Sequence, residues 1–346
     1  FSHIKSLKAG SYMLVNKNNL EIKSFMKLES FLNIYKKNNV VTHEQIFDSL
    51  ISTIKLHFIS DVPVGVFLSS GVDSSIISNL SKYLNKINLK AFNISFGDLN
   101  QKIHDESKVA KKVAKLNDQV FFTQKINYDD FSNSFNKIFE AMDSPSIDGV
   151  NTFFVSRLAK NKNTKVVLSG AGADELFFGY SHFKKIPYFL KIRNSVFKYF
   201  FDLVYYLLRI PFYKSRIINL LKPGISLFET YLLFRGITTV SELRKKFGTE
   251  LIDEFLHEIN FQYYNSLSAN NNEEIKGILR FFEYEFYLKN QLLKDADWAS
   301  MYHSIELRVP FVNMNFIKEI SSLNLNDNSD KKDLVNSVNQ FYPLLE

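Results

Sequence analysis

Val64-Gly65-Val66-Phe67-Leu68 is an apolar run with the length and β-branched content of a buried parallel strand, and Ser69-Ser70-Gly71-Val72-Asp73-Ser74-Ser75 follows it directly. The small residues predict a tight turn. An apolar-periodic helix then begins near Asp73 and runs towards Leu84. Strand, Gly/Ser turn and helix N-terminus together make an anion trap, because free backbone N–H groups and the positive end of the helix dipole face whatever occupies the loop. Ser69, Ser74 and Ser75 add hydroxyl donors, and Asp73 adds a carboxylate able to hold phosphate-bound Mg²⁺. No lysine follows Gly71, which excludes the GxxxxGK[ST] loop. Taken alone, the stretch also reads as an ordinary Ser/Gly connection between strand and helix.

A second stretch repeats the theme. Lys165-Val166-Val167-Leu168-Ser169-Gly170-Ala171-Gly172-Ala173-Asp174-Glu175 is an apolar strand, a Gly-rich turn and an acidic helix start. Two such strands side by side put Asp73 and Asp174 at one sheet edge, and two carboxylates facing an anion held by these turns call for a cation between them. Both are therefore candidate Mg²⁺ ligands. Dipole complementation explains an acidic first turn, but not the three small residues before it. Between the two stretches, Lys90 to Phe96 reads as a strand, Asp105-Glu106 opens a helix ending near Leu116, and residues 119–123 read as a third strand. In an open parallel sheet Ile94 lies at the carboxyl-end crevice, where a ligand can rest, and it reads equally well as a core residue.

At 346 residues the chain is long enough for two domains or one large α/β unit, and its 45% apolar content allows a full core. It has no cysteine, which excludes disulfides, thiolate metal sites and thiol chemistry and fits a reducing, cytoplasmic setting. The net charge of +7 is spread without a block of five basic residues, so a nucleic-acid partner is not expected. Phe1 is not expected to be the native start, and no apolar run reaches the length of a membrane span.

Ser69-Ser70-Gly71-Val72-Asp73-Ser74 resembles the SGGxDS pyrophosphate loop of ATP pyrophosphatases, with Ser70 at the first glycine. Leu168-Ser169-Gly170-Ala171-Gly172-Ala173-Asp174-Glu175-Leu176-Phe177-Phe178-Gly179-Tyr180 resembles the LSGxGADELFGGY signature of asparagine synthetases, with Phe178 replacing a glycine. Residues 292–311 resemble a third block, LLxxxDxxSM…SxExRVPF, and Lys331-Lys332-Asp333-Leu334 resembles a K-x-x-L block whose lysine contacts phosphates. The chain is thus identified as a member of the asparagine synthetase family over about residues 44–340.

The resemblance implies an α/β fold: a parallel-sheet, adenine-nucleotide α-hydrolase-like core with a helical C-terminal part. It implies residues 1–40 as the remnant of an N-terminal glutaminase domain plus linker, 41–182 as the core, and 183–346 as the helical part. ATP is expected on Leu68, Ser69, Gly71, Asp73, Ser74, Ser75, Ile94, Ser169 and Gly170, with Mg²⁺ on Asp73 and Asp174. Asp73, Asp174 and Lys331 are the implied catalytic residues, a solvated lysine pair being the competing reading of Lys331. The implied reaction joins a carboxylate to the α-phosphorus of ATP, releases pyrophosphate, and lets ammonia displace AMP to leave an amide. Ala171 stands where asparagine synthetases carry a glutamate, and alanine transfers no proton. A carboxylate other than aspartate is therefore expected. Asp143-Ser144-Pro145-Ser146-Ile147-Asp148-Gly149 resembles a subgroup tied to surface polysaccharides, which points to a sugar uronic acid. Asparagine synthesis, a tRNA-modifying relative and a non-catalytic nucleotide binder remain as alternatives. The expected partners are a small carboxylate, ammonia, a glutaminase domain or subunit and a second copy of the chain.

In the second half, residues 196–208 (VFKYFFDLVYYLL) read first as a buried helix. The second reading is a basic amphipathic helix on a membrane, with Lys184, Lys185, Lys191, Arg193 and Arg209 around it. Residues 283–293 read as a strong helix. Asp297, Glu306 and Arg308, set among apolar neighbours, suggest a buried and mainly structural network, and His303 reads as a packing residue.

Overall fold

The structure is a computed structural model, and it describes residues 4, 6–28, 42–86, 88–96, 106–142, 144–146, 148–193, 195–212, 216–321 and 331–343. The linker at 33–39, the Gly97-Asp98 turn, Asp105, Asp143 and Ile147 lie outside the described residues.

An antiparallel hairpin comes first, β1 (Ser11–Val15) paired with β2 (Leu20–Ser24). The core is a five-stranded, all-parallel sheet built from β3 (Val64–Phe67), β4 (Lys90–Phe96), β5 (Val120–Ile126), β6 (Val166–Leu168) and β7 (Glu306–Arg308), in the order β5-β4-β3-β6-β7. The chain builds outward from β3 to β5, then returns to lay β6 on the other side of β3. That reversal is a topological switch point, where open α/β sheets bind ligands. Val64, Gly65 and Val66 pair with Val166, Val167 and Leu168, so the two Gly-rich turns leave the sheet side by side.

The expected elements are present with shifted ends. The loop helix spans Val72–Tyr83, and the third strand starts at Val120 rather than Gln119. Gln119 is buried and exchanges hydrogen bonds with Ser78, so its side chain locks the strand to the loop helix instead. Residues 283–293 differ in kind. Glu283–Leu292 is a π-helical stretch running between the helices Asn272–Phe282 and Leu293–Met301. Its wider turn sets Glu283, Tyr284 and Leu288 into the core and Tyr287 and Gln291 onto Asp148, at the start of the helix Gly149–Asn161.

Two expectations fail on burial. Asp297 and Glu306 are exposed, and the buried acid is Asp295, which accepts from Trp298 Nε1 at 2.9 Å and from the Ser146 hydroxyl. The reason is helical phase: with Ala296, Trp298 and Ala299 turned inward, Asp297 is left facing solvent. Arg308 does what was expected of it. Its Nη1 donates to the His57 and Ile59 carbonyls at 2.8 and 2.7 Å, tying β7 to the end of the helix His43–His57. The helix Lys198–Phe212 is not buried either, since none of its described side chains reaches the core. His303 packs edge-on against Phe153 at 4.4 Å, and burial pushes its imidazole down to about 4, with Lys160 and Arg157 adding to the shift. It is a neutral packing residue.

Candidate active site

The helix Val72–Tyr83 starts at Gly71 with no side-chain cap, which leaves its first-turn N–H groups without intrahelical partners. The turn before it is organised by its own serines. The Ser69 and Gly71 N–H groups donate to the Ser74 and Ser69 hydroxyls at 3.1 and 3.0 Å, and the Ser74 and Ser75 hydroxyls donate to the Gly71 carbonyl. Ser69, Ser74 and Ser75, expected as ligand donors, thus also hold the loop in shape. Leu68 closes β3, its N–H bonded to the Phe92 carbonyl at 2.9 Å. Ile94 lies half-buried on β4, between two clusters of the core.

The two turns touch. A Cβ on Gly170 would stand 2.9 Å from Asp73 Cβ and 2.9 Å from the Ser74 nitrogen, so only glycine lets the second turn lie against the first. Ser169 N–H donates to the Arg308 carbonyl at 2.9 Å, which anchors this turn to β7. Gly172 then adopts φ +96° and starts the short helix Ala173–Leu176 that carries Asp174. Gly170→Ala is expected to cut nucleotide turnover at least tenfold and to cost about 1–3 kcal/mol of stability by overpacking. Turnover and thermal unfolding measured on the same sample check both, and unchanged values would show that the turns separate freely.

Lys331 joins the carboxylates. Its Nζ lies 2.7 Å from Asp73 Oδ2 and 2.5 Å from Asp174 Oδ1. The lysine opens the helix Lys331–Phe341, whose Leu334 and Val338 are buried in the main core and whose Phe341 stacks on Phe47 at 4.9 Å. Packing therefore delivers the ammonium to the switch point. Burial pushes the Asp73 carboxyl up to about 6; Asp174 pushes the same way and Lys331 opposes. Burial also works against the charge of Lys331, but Asp73 and Asp174 outweigh it and hold the ammonium above its usual range. Asp73 Oδ1 is buried and takes no hydrogen bond, which leaves one oxygen of the pair open to a ligand. Two carboxylates with a free oxygen suit Mg²⁺, which binds proteins through one or two carboxylates and takes its remaining ligands from phosphates and water.

Behind Asp174 lies a polar wall. Glu175 is fully buried and accepts from the Tyr180 hydroxyl at 2.6 Å, and burial pushes its carboxyl up to about 7. The Arg235 guanidinium stacks on the Tyr180 and Tyr287 rings, 4.5 and 3.6 Å from their centroids. Tyr287 and Gln291 both donate to Asp148 Oδ2, at 3.1 and 2.6 Å. Asn93 is a second residue that sequence reasoning missed. Buried in β4, it donates to the Leu68 carbonyl at 2.8 Å and fixes the end of β3. An amide inside an apolar strand is the signal that could have found it; Arg235 carries no such signal.

The asparagine synthase family model matches residues 45–334, which takes in both turns, the π-helical stretch and Lys331. The chain belongs to the asparagine synthase family. It is 26% identical to the glutamine-hydrolysing asparagine synthetase 1 of Bacillus subtilis over 316 residues, 90% of this chain and 48% of the relative. Asparagine synthetase B of Escherichia coli is 32% identical over 199 residues, 53% of this chain and 35% of the relative. A putative asparagine synthetase of Mycobacterium tuberculosis is 30% identical over 293 residues, 81% of this chain and 42% of the relative. The chain thus spans about half the length of the curated relatives it matches. Like other family members it carries the α/β synthetase fold; among its described residues no helix is long and apolar enough to cross a membrane.

Proposed function

We propose that the protein is an ATP-dependent amide ligase that activates a carboxylate as an acyl-adenylate and transfers it to ammonia. The observation carrying this reading is the meeting of Asp73, Asp174 and Lys331 at the switch point between β3 and β6. The uncapped start of the helix Val72–Tyr83 would take phosphate oxygens of ATP, and Leu68, Ser169 and Gly170 form the walls between which the nucleotide would lie. Asp73 and Asp174 would hold Mg²⁺, which when bound supplies positive charge against the phosphates and the departing pyrophosphate. Lys331 adds a fixed cation at the same edge, able to stabilise the leaving group's charge without reorganisation. The chain's part is placement and neutralisation, and it forms no covalent intermediate with its own residues.

The acceptor would be a carboxylate other than aspartate. Ala171 offers no proton carrier beside the turn, and the neighbouring acid Glu175 is fully buried. A sugar uronic acid is the acceptor class this reading favours, lying along Asp174, Tyr180, Arg235 and Tyr287. Ammonia would come from a glutaminase domain or subunit, of which the hairpin β1–β2 would be the adjoining edge, and the setting would be cytoplasmic.

Pyrophosphate release from Mg·ATP with ammonium present, across aspartate and nucleotide-linked uronic acids, tests the reading. One acid should drive release, with AMP formed in equal amount. Release driven by aspartate would make the reaction asparagine synthesis. Absence of release with every acid tried would remove the ligase reading altogether.

A further inference from the structure

The positive charge of this protein is local. Residues 181–222 hold nine of the chain's 43 Lys and Arg but one of its 36 Asp and Glu, a local excess of eight against seven for the whole chain. The one acid, Asp202, is taken up by buried Arg193, whose Nη2 it meets. The helix Lys198–Phe212 in this segment turns an apolar stripe outward. Tyr199, Phe200, Leu203, Tyr206 and Leu207 recur at the spacing of one helical face, and their exposure runs from 54% at Tyr206 to 82% at Tyr199. Val196 and Phe197 lead into the stripe at 88% and 59% exposure. On the preceding helix, His182–Arg193, Lys184, Lys185, Tyr188 and Lys191 are exposed on one face.

We propose that this segment docks the protein on the surface of an anionic lipid bilayer. The stripe enters the headgroup boundary, and the lysines sit on acidic lipids. An inward-facing stripe would be ordinary core, but this one faces solvent and is bordered by cations, the pattern of an interfacial helix. Tyrosine suits that depth, with an apolar ring and a wet hydroxyl. A second copy of the chain would bring the same positive segment against this one, which disfavours self-association as its cover. Among the described residues no helix is long and apolar enough to cross a bilayer, so this segment would lie along the surface. None of this depends on the amidation reading.

Flotation of the full chain with vesicles tests it, using phosphatidylcholine alone and phosphatidylcholine mixed with phosphatidylglycerol. Binding to the mixed vesicles should exceed binding to the neutral ones at least tenfold and weaken with salt. The pair Leu203→Glu and Leu207→Glu should abolish it. Lys184→Gln, Lys185→Gln and Lys191→Gln together should lower it by roughly fivefold per lysine. All five side chains lie at the surface, so the thermal midpoint should hold and separate lost docking from lost folding. No binding to mixed vesicles overturns the proposal. So does equal binding to both kinds, full binding by the glutamate pair, or a concentration-dependent dimer that the glutamate pair dissolves.

Discussion

Asp73→Asn is expected to lower pyrophosphate release by about 10³-fold or more while leaving the protein at least as stable as the parent at pH 8. The substitution keeps the shape of the side chain and removes its charge. On the proposed function activity falls, because one of the two carboxylates that would hold Mg²⁺ loses its charge. Stability moves the other way because that charge is costly where it sits. Asp73 ionises near 3.8 in the unfolded chain and near 6 in the fold, where burial outweighs the help of Lys331. From pH 3.8 to about 6 the unfolded chain releases its proton first, so the parent loses stability as pH rises through that window. Asparagine has no such window. Unfolding measured from pH 4 to 8 should show the difference between the two proteins widening by about 2–3 kcal/mol and then holding level. A constant difference would mean that Asp73 carries no stored cost, and retained turnover would remove it from the site.

The second large effect is at Lys331. Lys331→Met keeps much of the stem and removes the ammonium between the two acids. A loss of about 10²–10³-fold in kcat is expected, the scale of one preorganised charge at a transition state. Here stability should also fall, by about 1–3 kcal/mol at pH 8, because Asp73 and Asp174 are left facing each other without a counter-ion. The double variant Asp73→Asn with Lys331→Met should regain most of that stability and none of the activity, and the cycle gives the coupling directly. Mg²⁺ should raise the thermal midpoint of Lys331→Met more than that of the parent, in which the ammonium already occupies the gap. A midpoint indifferent to Mg²⁺ in both proteins would argue against the carboxylates as metal ligands.

The parts of the fold visible in the sequence were those written locally. Val64–Phe67 and Val166–Leu168 announce themselves as strands, and the small residues after each announce a turn. That Asp73 and Asp174 belong together follows from the repeated pattern. That Lys331 joins them is readable only from the resemblance of the K-x-x-L block and not from any local pattern, because the lysine arrives on the packing of Leu334 and Val338, 157 residues beyond Asp174. Asp297 misled for a related reason. A polar residue among apolar neighbours faces inward or outward according to helical phase, and here the phase chose Asp295. The π-helical turn was invisible because widening the helix by one residue per turn leaves the composition of residues 283–292 unchanged. The helix Lys198–Phe212 reads two ways, as core from its hydrophobicity and as a membrane-surface helix from the basic residues around it, because apolar spacing is the same for a face that meets a core and one that meets solvent.

The sheet order has a consequence in time. β3 and β6 can pair once Leu168 has been made, but β7 starts at Glu306 and the neutralising lysine is residue 331. At roughly 5–20 residues per second, translation opens an interval of about 8–30 s in which Asp73 and Asp174 exist on a growing chain without their cation. Through that interval the two acids lack the ammonium that ends up between them, and this edge of the sheet takes on its final electrostatics only after the 157 residues from Asp174 to Lys331 have been made.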